Sequence, residues 1–173
     1  QAWGTNLLPH EIDYENPIKF NQNAKRLNYV GMFCEKELWW WGEEFATEIF
    51  KNHEVEFKLF TQSESDQKNQ ELIQQSFLCP DFRNDWHLRC GYIPCRVFKN
   101  ISYGRVCGTN SPWIKQLFGD HIVYGGTPRT LYQNLLDAEM NNKINMRESM
   151  LYVRDNHTYI NRVKNIIKLL EEN

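Results

Sequence analysis

The stretch from Gly91 to Ser111 constrains the fold more than any other part of the chain, because it places two helix starts around one short strand. Proline is tolerated in the first turn of a helix, where its missing N–H has no partner to lose, and Pro94 suits that position. Glycine favours the left-handed residue just past a helix end, and Gly104 suits that one. The pair predicts a helix of about ten residues between them.

The predicted helix carries two cations near its start. Arg96 and Lys99 are three residues apart, so we expect them to lie near each other at the N-terminal end. A cation in the first turn opposes the helix dipole by about 0.3–1 kcal/mol. An anion among the free backbone N–H groups would offset that cost, which favours an anion site here. The alternative is that both side chains extend into solvent.

A strand and a second helix follow. The run from Arg105 to Asn110 is typical of a short buried strand, and Ser111 followed by Pro112 is typical of an N-cap and first helical residue. We therefore expect a helix from Pro112 to Phe118. In a parallel α/β sheet both helices begin at the carboxyl edge of the strands, where such folds bind ligands.

The rest of the chain alternates strands and helices. We expect further strands at Leu27–Phe33, Val55–Phe60, Ser76–Pro80 and His121–Gly125, and helices over Leu38–Phe50, around Leu72 and Ile73, around Leu131 and Leu135, over Ile144–Arg154 and from Thr158 onwards. This order predicts a Rossmann-like three-layer α/β/α domain with a mainly parallel sheet. Residues 81–92 are expected to form a polar, aromatic loop. Residues 1–26 are expected to be a lead-in or interdomain linker, and residues 27–173 the domain.

Composition and charge exclude several classes of protein. A net charge of −2 gives no electrostatic footprint for nucleic acid. No apolar run approaches the eighteen residues that would span a membrane. Five cysteines without a C-x-x-C pair are typical of reduced core residues in a cytoplasmic protein. Because the chain opens with Gln1 and not with methionine, we expect a piece of a longer polypeptide.

Several catalytic and cofactor motifs are absent from the sequence. No strand is followed by G-x-G-x-x-G, and no P-loop or G-x-S-x-G elbow occurs. The spacing of His87, Cys90 and Cys95 matches no zinc pattern. No Asp-x-Asp occurs either, so a bound diphosphate is expected to be held by helix dipoles, backbone N–H groups and cations, with neither metal nor cofactor. His87 is the one histidine expected at the ligand edge.

Three segments together resemble a known family. They are Pro94–Gly104, with the order P-x-R-x-F-x-x-x-x-x-G, then Tyr124–Gly125 with the Leu131-rich helix, and finally Asn156–Lys164. The chain is similar in these to the C-terminal, donor-binding half of GT-B glycosyltransferases, and most of all to CgeB/YkvP-like glycosyltransferase family 1 domains. The resemblance covers roughly residues 27 to 172.

This resemblance implies a domain that binds a nucleoside-diphosphate sugar for transfer to a glycan or protein acceptor. Arg96 and Lys99 would stabilise the leaving group, although many relatives carry a ribose-binding glutamate where Lys99 stands. By the same resemblance, the acceptor site and often the catalytic base would belong to an N-terminal domain, which we expect to lie outside this chain. The implied substrate-binding residues are Gly31, Met32, Phe33, Phe60, Cys79, Pro80, Asp81, Tyr92, Ile93, Pro94, Asn100, Thr109 and Asn110.

Two other hypotheses about the function remain open. One is a non-catalytic, Rossmann-like module that binds a nucleotide or a protein partner, which Lys99 and the many aromatic residues favour. The other is a different nucleotide-using α/β enzyme, such as a sugar epimerase, and the missing glycine-rich fingerprint argues against it.

Overall fold

The structure is a computed structural model that describes residues 4–31, 36–61 and 65–172. Its strands are β1 (Arg26–Val30), β2 (Glu56–Phe60), β3 (Cys79–Asp81), β4 (Cys107–Thr109) and β5 (Val123–Tyr124). Its helices are α1 (Lys36–His53), α2 (Asp66–Gln74), α3 (Asp85–Cys90), α4 (Cys95–Ser102), α5 (Pro112–Phe118), α6 (Pro128–Met140), α7 (Met146–Asn156) and α8 (Tyr159–Glu171).

All the strand pairs in the described residues are parallel. β1 pairs with β2, and β4 lies between β3 and β5. The two sheets meet side by side, because the Phe77 amide donates to the Arg26 carbonyl (2.8 Å) and the Asn28 amide donates to Ser76 Oγ (2.9 Å). The lateral order is therefore β2-β1-β3-β4-β5. In doubly wound folds of this order the ligand crevice lies where the order reverses, between β1 and β3.

Helices cover both faces of the sheet, which confirms the predicted Rossmann-like α/β/α class. On one face, α1 packs against β2 and α6, and α6 packs against β4 and β5, around a core that contains Phe45, Ile49 and Leu131. On the other, α4, α5 and α7 share a second core that contains Phe98 and Phe118. None of the helices in the described residues is long and apolar enough to cross a membrane.

All five strands are shorter than the sequence predicts, and β5 keeps only Val123–Tyr124 because His121 lies in a 3-10 helix. The ends of β1 and β3 have identifiable causes. β1 ends at Val30 and not at Phe33, since Gly31 has a φ of +135°, outside the range of an extended strand. β3 begins at Cys79 and not at Ser76. The Ser76 hydroxyl accepts from the Asn28 amide and donates to the Leu78 carbonyl, so its local polar groups are paired without a ladder.

The expected loop over residues 81–92 is wrong in one part, because it contains the helix α3. The Asn84 side chain accepts from the His87 amide (2.8 Å) as an N-cap. Gly91, at a φ of 67°, ends the helix in the left-handed region. The N-cap Asn84 and the C-terminal Gly91 are local signals for this helix. With six residues, the helix is too short to show the apolar spacing from which the other helices were predicted.

A buried arginine joins the sheet to α6. Arg105 is 1% exposed, and its guanidinium donates to the carbonyls of Gln74 (2.9 Å) and Phe77 (3.1 Å) and to Glu139 Oε1 (3.0 Å). Burial raises the pKa of Glu139, and the positive charge of Arg105 opposes that rise. Arg105 therefore fixes the segment that leads into β3 against a helix on the other side of the core.

The beginning of the lead-in packs against the domain where α7 ends and α8 begins. Thr5 forms a parallel bridge with Thr158, and its amide donates to the His157 carbonyl (3.0 Å). Ile12 is 2% exposed within the core around α4 and α5. Trp3, in the same lead-in, lies outside the described residues.

His157 connects this contact to the core. Its ring is 5% exposed and lies 5.0 Å from the ring of Tyr152 and 5.1 Å from that of Phe98, measured between centroids. Its Nδ1 lies 2.6 Å from Arg162 Nη2. Burial and the neighbouring positive charge lower the pKa of His157 to about 4, so the ring is neutral in the folded chain at pH 7.

We predict that His157 makes the folded chain sensitive to mild acid. The unfolded imidazole takes up a proton near pH 6.5, whereas the folded one does so only near pH 4. This contribution to stability is therefore complete above about pH 6.5 and is lost as the pH falls towards 4. Denaturant unfolding at steps across this window should show the loss for wild type and a flatter profile for His157→Gln. The exposed His10→Gln variant should retain the wild-type slope. Equal slopes for wild type and His157→Gln would contradict the assignment.

Candidate functional site

Arg96 spans the crevice between the carboxyl ends of β1 and β3. Its Nε donates to the Val30 carbonyl (2.9 Å), and its Nη1 donates to the Tyr29 hydroxyl and to Asp81 Oδ1 (3.4 Å). The guanidinium carbon lies 3.9 Å from the centroid of the Tyr29 ring, a cation–π contact. The side chain thus joins β1 to β3 at the point where this fold class binds ligands.

The buried carboxylate of Asp81 also contacts a second arginine. Arg83 Nη2 lies 2.8 Å from Asp81 Oδ1, and Thr109 Oγ1 donates to Oδ2 (3.4 Å). Burial acts to lower the pKa of Arg83, but the charge of Asp81 and the contact with Tyr29 raise it. The guanidiniums of Arg83 and Arg96 therefore share one buried carboxylate at this edge.

The free edge of Arg96 lies against Gly31. An ideal Cβ on Gly31 would stand 1.9 Å from Arg96 Nη2, and this nitrogen forms no hydrogen bond within the described residues. The Gly31 amide donates to the Phe60 carbonyl (2.9 Å), which fixes the turn that follows β1. Met32 and Phe33, the other predicted residues of this turn, lie outside the described residues.

The helix that carries Arg96 begins without a capping side chain. Pro94 is its N-cap and accepts no hydrogen bond through a side chain, and the first turn contains no acidic residue. The first amides of α4 therefore keep the positive end of the helix dipole uncompensated. Arg96 and these N–H groups together make an anion-receptive helix start at the crevice.

Lys99 does not lie with Arg96 in the first turn, as the sequence led us to expect. α4 has eight residues, and Lys99 lies in its last turn. Its Nζ is 3.3 Å from Asp66 Oδ1, at the start of α2. Since a step of three residues moves a side chain almost one turn along the axis, the helix start receives its cation from Arg96.

Some of the predicted substrate-binding residues use their side chains for hydrogen bonds to the backbone. Asn100 donates to the Cys79 carbonyl (3.4 Å), and Asn110 accepts from the Arg83 amide (2.7 Å) and donates to the Arg83 carbonyl (2.8 Å). Burial raises the pKa of the Cys79 thiol to about 11, which keeps it protonated. Pro80 is buried in the middle of β3. All four side chains are buried at this edge of the sheet, where they stabilise it.

An aromatic rim borders the two arginines. The Tyr92 ring stacks on His87 at 4.8 Å between centroids, and the Arg83 guanidinium carbon lies 5.9 Å from the Tyr92 centroid. Trp86 is 59% exposed on the same short helix. Ile93, which is half-buried, leads from this rim into α4. The rim offers flat apolar surfaces beside the positive charges, a combination that suits a base or a sugar ring.

Two residues of the site were missed at the level of sequence. Arg83 follows Asp81 by two positions, and in an extended chain such residues point to the same side. The sequence could therefore have indicated that Arg83 lies beside Asp81. Tyr29 gave no such signal. Its role depends on Arg96, which is 67 positions away.

A larger groove lies at the opposite end of the sheet. It encloses about 1020 Å³ next to Val106, which precedes β4, and is lined among others by Lys19, Asn23, Lys143 and Arg147. Nothing in the sequence predicted it. Within the described ranges, no group of three or more histidine, cysteine, aspartate or glutamate side chains is placed to hold a metal ion.

Comparisons of the chain with models of protein families, with curated proteins and with solved structures found no match. The function is therefore argued from the crevice between β1 and β3 and from the motifs of the sequence.

We predict that Gly31→Ala disrupts the crevice. The new methyl group would meet Arg96 Nη2 at 1.9 Å, and the φ of +135° is one that L-residues rarely adopt. Backbone strain alone costs about 1–3 kcal/mol, and displacement of Arg96 from Tyr29 and Asp81 adds to it. Denaturant unfolding measures the loss.

Gly119→Ala is the matched control. Gly119 also has a positive φ, +53°, but nothing lies within 4 Å of its ideal Cβ. It should therefore show the strain without the collision and destabilise the chain less. Equal losses for the two variants would show that Arg96 moves aside at no cost.

Proposed function

We propose that this chain is the donor-binding domain of a GT-B glycosyltransferase, which moves a sugar from a nucleoside-diphosphate sugar to an acceptor without a metal ion. The observation that carries the proposal is Arg96 at the uncapped start of α4, in the crevice between β1 and β3. The order of residues from Pro94 to Gly104 supports it, as does the parallel α/β architecture.

The electrostatics of the crevice favour a diphosphate. The guanidiniums of Arg83 and Arg96 share the single carboxylate of Asp81, which leaves one positive charge in excess among these three groups. Each hydrogen bond between a phosphate oxygen and a charged group contributes about 1.5–3 kcal/mol, and the helix start adds about 0.3–1 kcal/mol. An anion that reaches Arg96 Nη2 and the first amides of α4 gains both contributions at once.

In transfer, these groups would stabilise the leaving nucleoside diphosphate. Negative charge develops on the phosphate oxygen as its bond to the anomeric carbon breaks, and Arg96 with the α4 amides would neutralise it. Lys99 is a second candidate for this role, provided that it exchanges Asp66 for phosphate. The catalytic base and the acceptor site would come from a partner domain. Cytoplasmic location remains part of the proposal.

The alternative is a non-catalytic module that binds a nucleotide or a protein partner. One observation favours it: Arg96 already donates to three acceptors of the protein, and Lys99 is paired with Asp66. Under this hypothesis Arg96 and Lys99 have structural roles only. The two hypotheses differ in whether phosphate binding depends on Arg96.

We predict that one nucleoside diphosphate binds the chain in the presence of EDTA. Calorimetric titration with UDP, GDP, TDP and CDP, and with their sugars, should identify the base and give its Kd. Arg96→Ala should raise that Kd at least about tenfold, the equivalent of one lost charged hydrogen bond. Lys99→Ala should have a smaller effect, because its charge is already balanced by Asp66.

Arg89→Ala is the control for charge alone. Arg89 is an exposed arginine of α3, on the same edge of the sheet, and contacts the Asp85 carbonyl (3.4 Å). Its removal should leave the Kd unchanged. Circular dichroism has to confirm that Arg96→Ala remains folded, since the residue also joins β1 to β3. A folded Arg96→Ala variant with the wild-type Kd would refute the phosphate site.

A further inference from the structure

The last helix, α8, presents an apolar face that nothing in the described chain covers. None of its residues is buried. The exposed fractions of Ile160, Val163, Ile167 and Leu170 are 39%, 53%, 49% and 75%. Single exposed apolar residues are ordinary, but four on one face of a helix mark an interaction surface.

The spacing of these four residues is that of a coiled-coil seam. Steps of three, four and three residues separate Ile160, Val163, Ile167 and Leu170, which are successive a, d, a and d positions of a heptad. We propose that this seam pairs with the same seam of a second copy of the chain, with the two α8 helices antiparallel. This proposal does not depend on the nucleotide site.

Self-complementarity favours a second copy as the partner. In an antiparallel pair that aligns all four layers, Ile160 meets Leu170 of the other copy and Val163 meets Ile167. The e flank of one helix then faces the e flank of the other. These e positions are Lys164 and Glu171, which have opposite charges, and neither forms an ion pair within residues 4–31, 36–61 and 65–172.

Side-chain direction brings these charges together. Helical side chains lean towards the N-terminus of their own helix. In the four-layer alignment, Lys164 of one copy and Glu171 of the other lie five residues apart along the axis, about 7.5 Å, and lean towards each other. The twofold symmetry creates this pair twice. On the other flank Ile166, 47% exposed, would meet its own copy next to the twofold axis.

A parallel pair lacks these features. Its flank contacts join g to e positions, which would set Tyr159 against Lys164 and Ile166 against Glu171. No opposite charges would meet, and an apolar side chain would face a carboxylate. The antiparallel arrangement is therefore the one that the sequence of α8 favours.

The start of α8 is held in place before any partner binds. Thr158 caps it by accepting from the Asn161 amide (3.3 Å), and Arg162 donates to the Asn156 carbonyl (3.2 Å). A helix that is already ordered loses less entropy on association. The seam spans only two heptads, so we expect a dimer that forms at high concentration and dissociates on dilution.

Sedimentation equilibrium over a range of concentrations tests the proposal. Wild type should associate to a dimer, and Val163→Asp should remain a monomer. Lys164→Glu should raise the dimer dissociation constant about tenfold, because two opposite-charge contacts become like-charge contacts. The double variant Lys164→Glu with Glu171→Lys should restore the wild-type value. All of these positions are exposed, so the fold is expected to be unaffected.

Oxidative cross-linking tests the direction of the pairing. Ile166→Cys should form a covalent dimer above the wild-type background, since position 166 lies next to the twofold axis. Ile160→Cys should not, because the two copies of residue 160 lie at opposite ends of the seam. A wild-type chain that is monomeric throughout, a double variant that fails to restore association, or cross-linking through residue 160 would each overturn the proposal.

Discussion

The buried carboxylate of Asp81 holds the ligand edge of this domain together. It contacts Arg83 and Arg96, and through Arg96 it joins the carboxyl end of β3 to that of β1, two strands without a ladder between them there. Removing one member of such a buried set typically costs about 3–5 kcal/mol, because the remaining charges lose their partners. Asp81 thereby helps to fix the start of α4 and its positive end, while the apolar face of the helix packs in the core around Phe98.

The contacts of Arg96 also limit how it can bind a ligand. Arg96 is both a tie between strands and the proposed phosphate ligand, and it has one guanidinium edge for the second role. A ligand that binds there replaces no ordered protein contact of Nη2, so the tie to Val30 persists during binding. Rigid attachment of a charged group lowers the reorganisation needed when charge develops in a transition state. The structural and the proposed catalytic role are therefore compatible.

What the sequence predicted well is what depends on neighbours along the chain. The α5 helix over Pro112–Phe118 and the helix that begins after Thr158 agree with the structure, because caps and prolines act within one turn. The candidate site was predicted less well. The partners of Arg96 come from β1 and β3, and no local pattern shows that Lys99 meets Asp66. The exposure of α8 was equally hidden, since an apolar stripe does not say what covers it.

The bridge between Thr5 and Thr158 bears on the order in which the chain assembles. The amide of Thr5 needs the carbonyl of His157, which is synthesised about 150 residues later. Closing so long a loop is entropically costly, and contacts of this separation form late and slow the folding rate. During synthesis this bridge therefore has to wait until Thr158 has left the ribosome. The contact at Thr5, close to the beginning of the described chain, is therefore among the last native contacts to form.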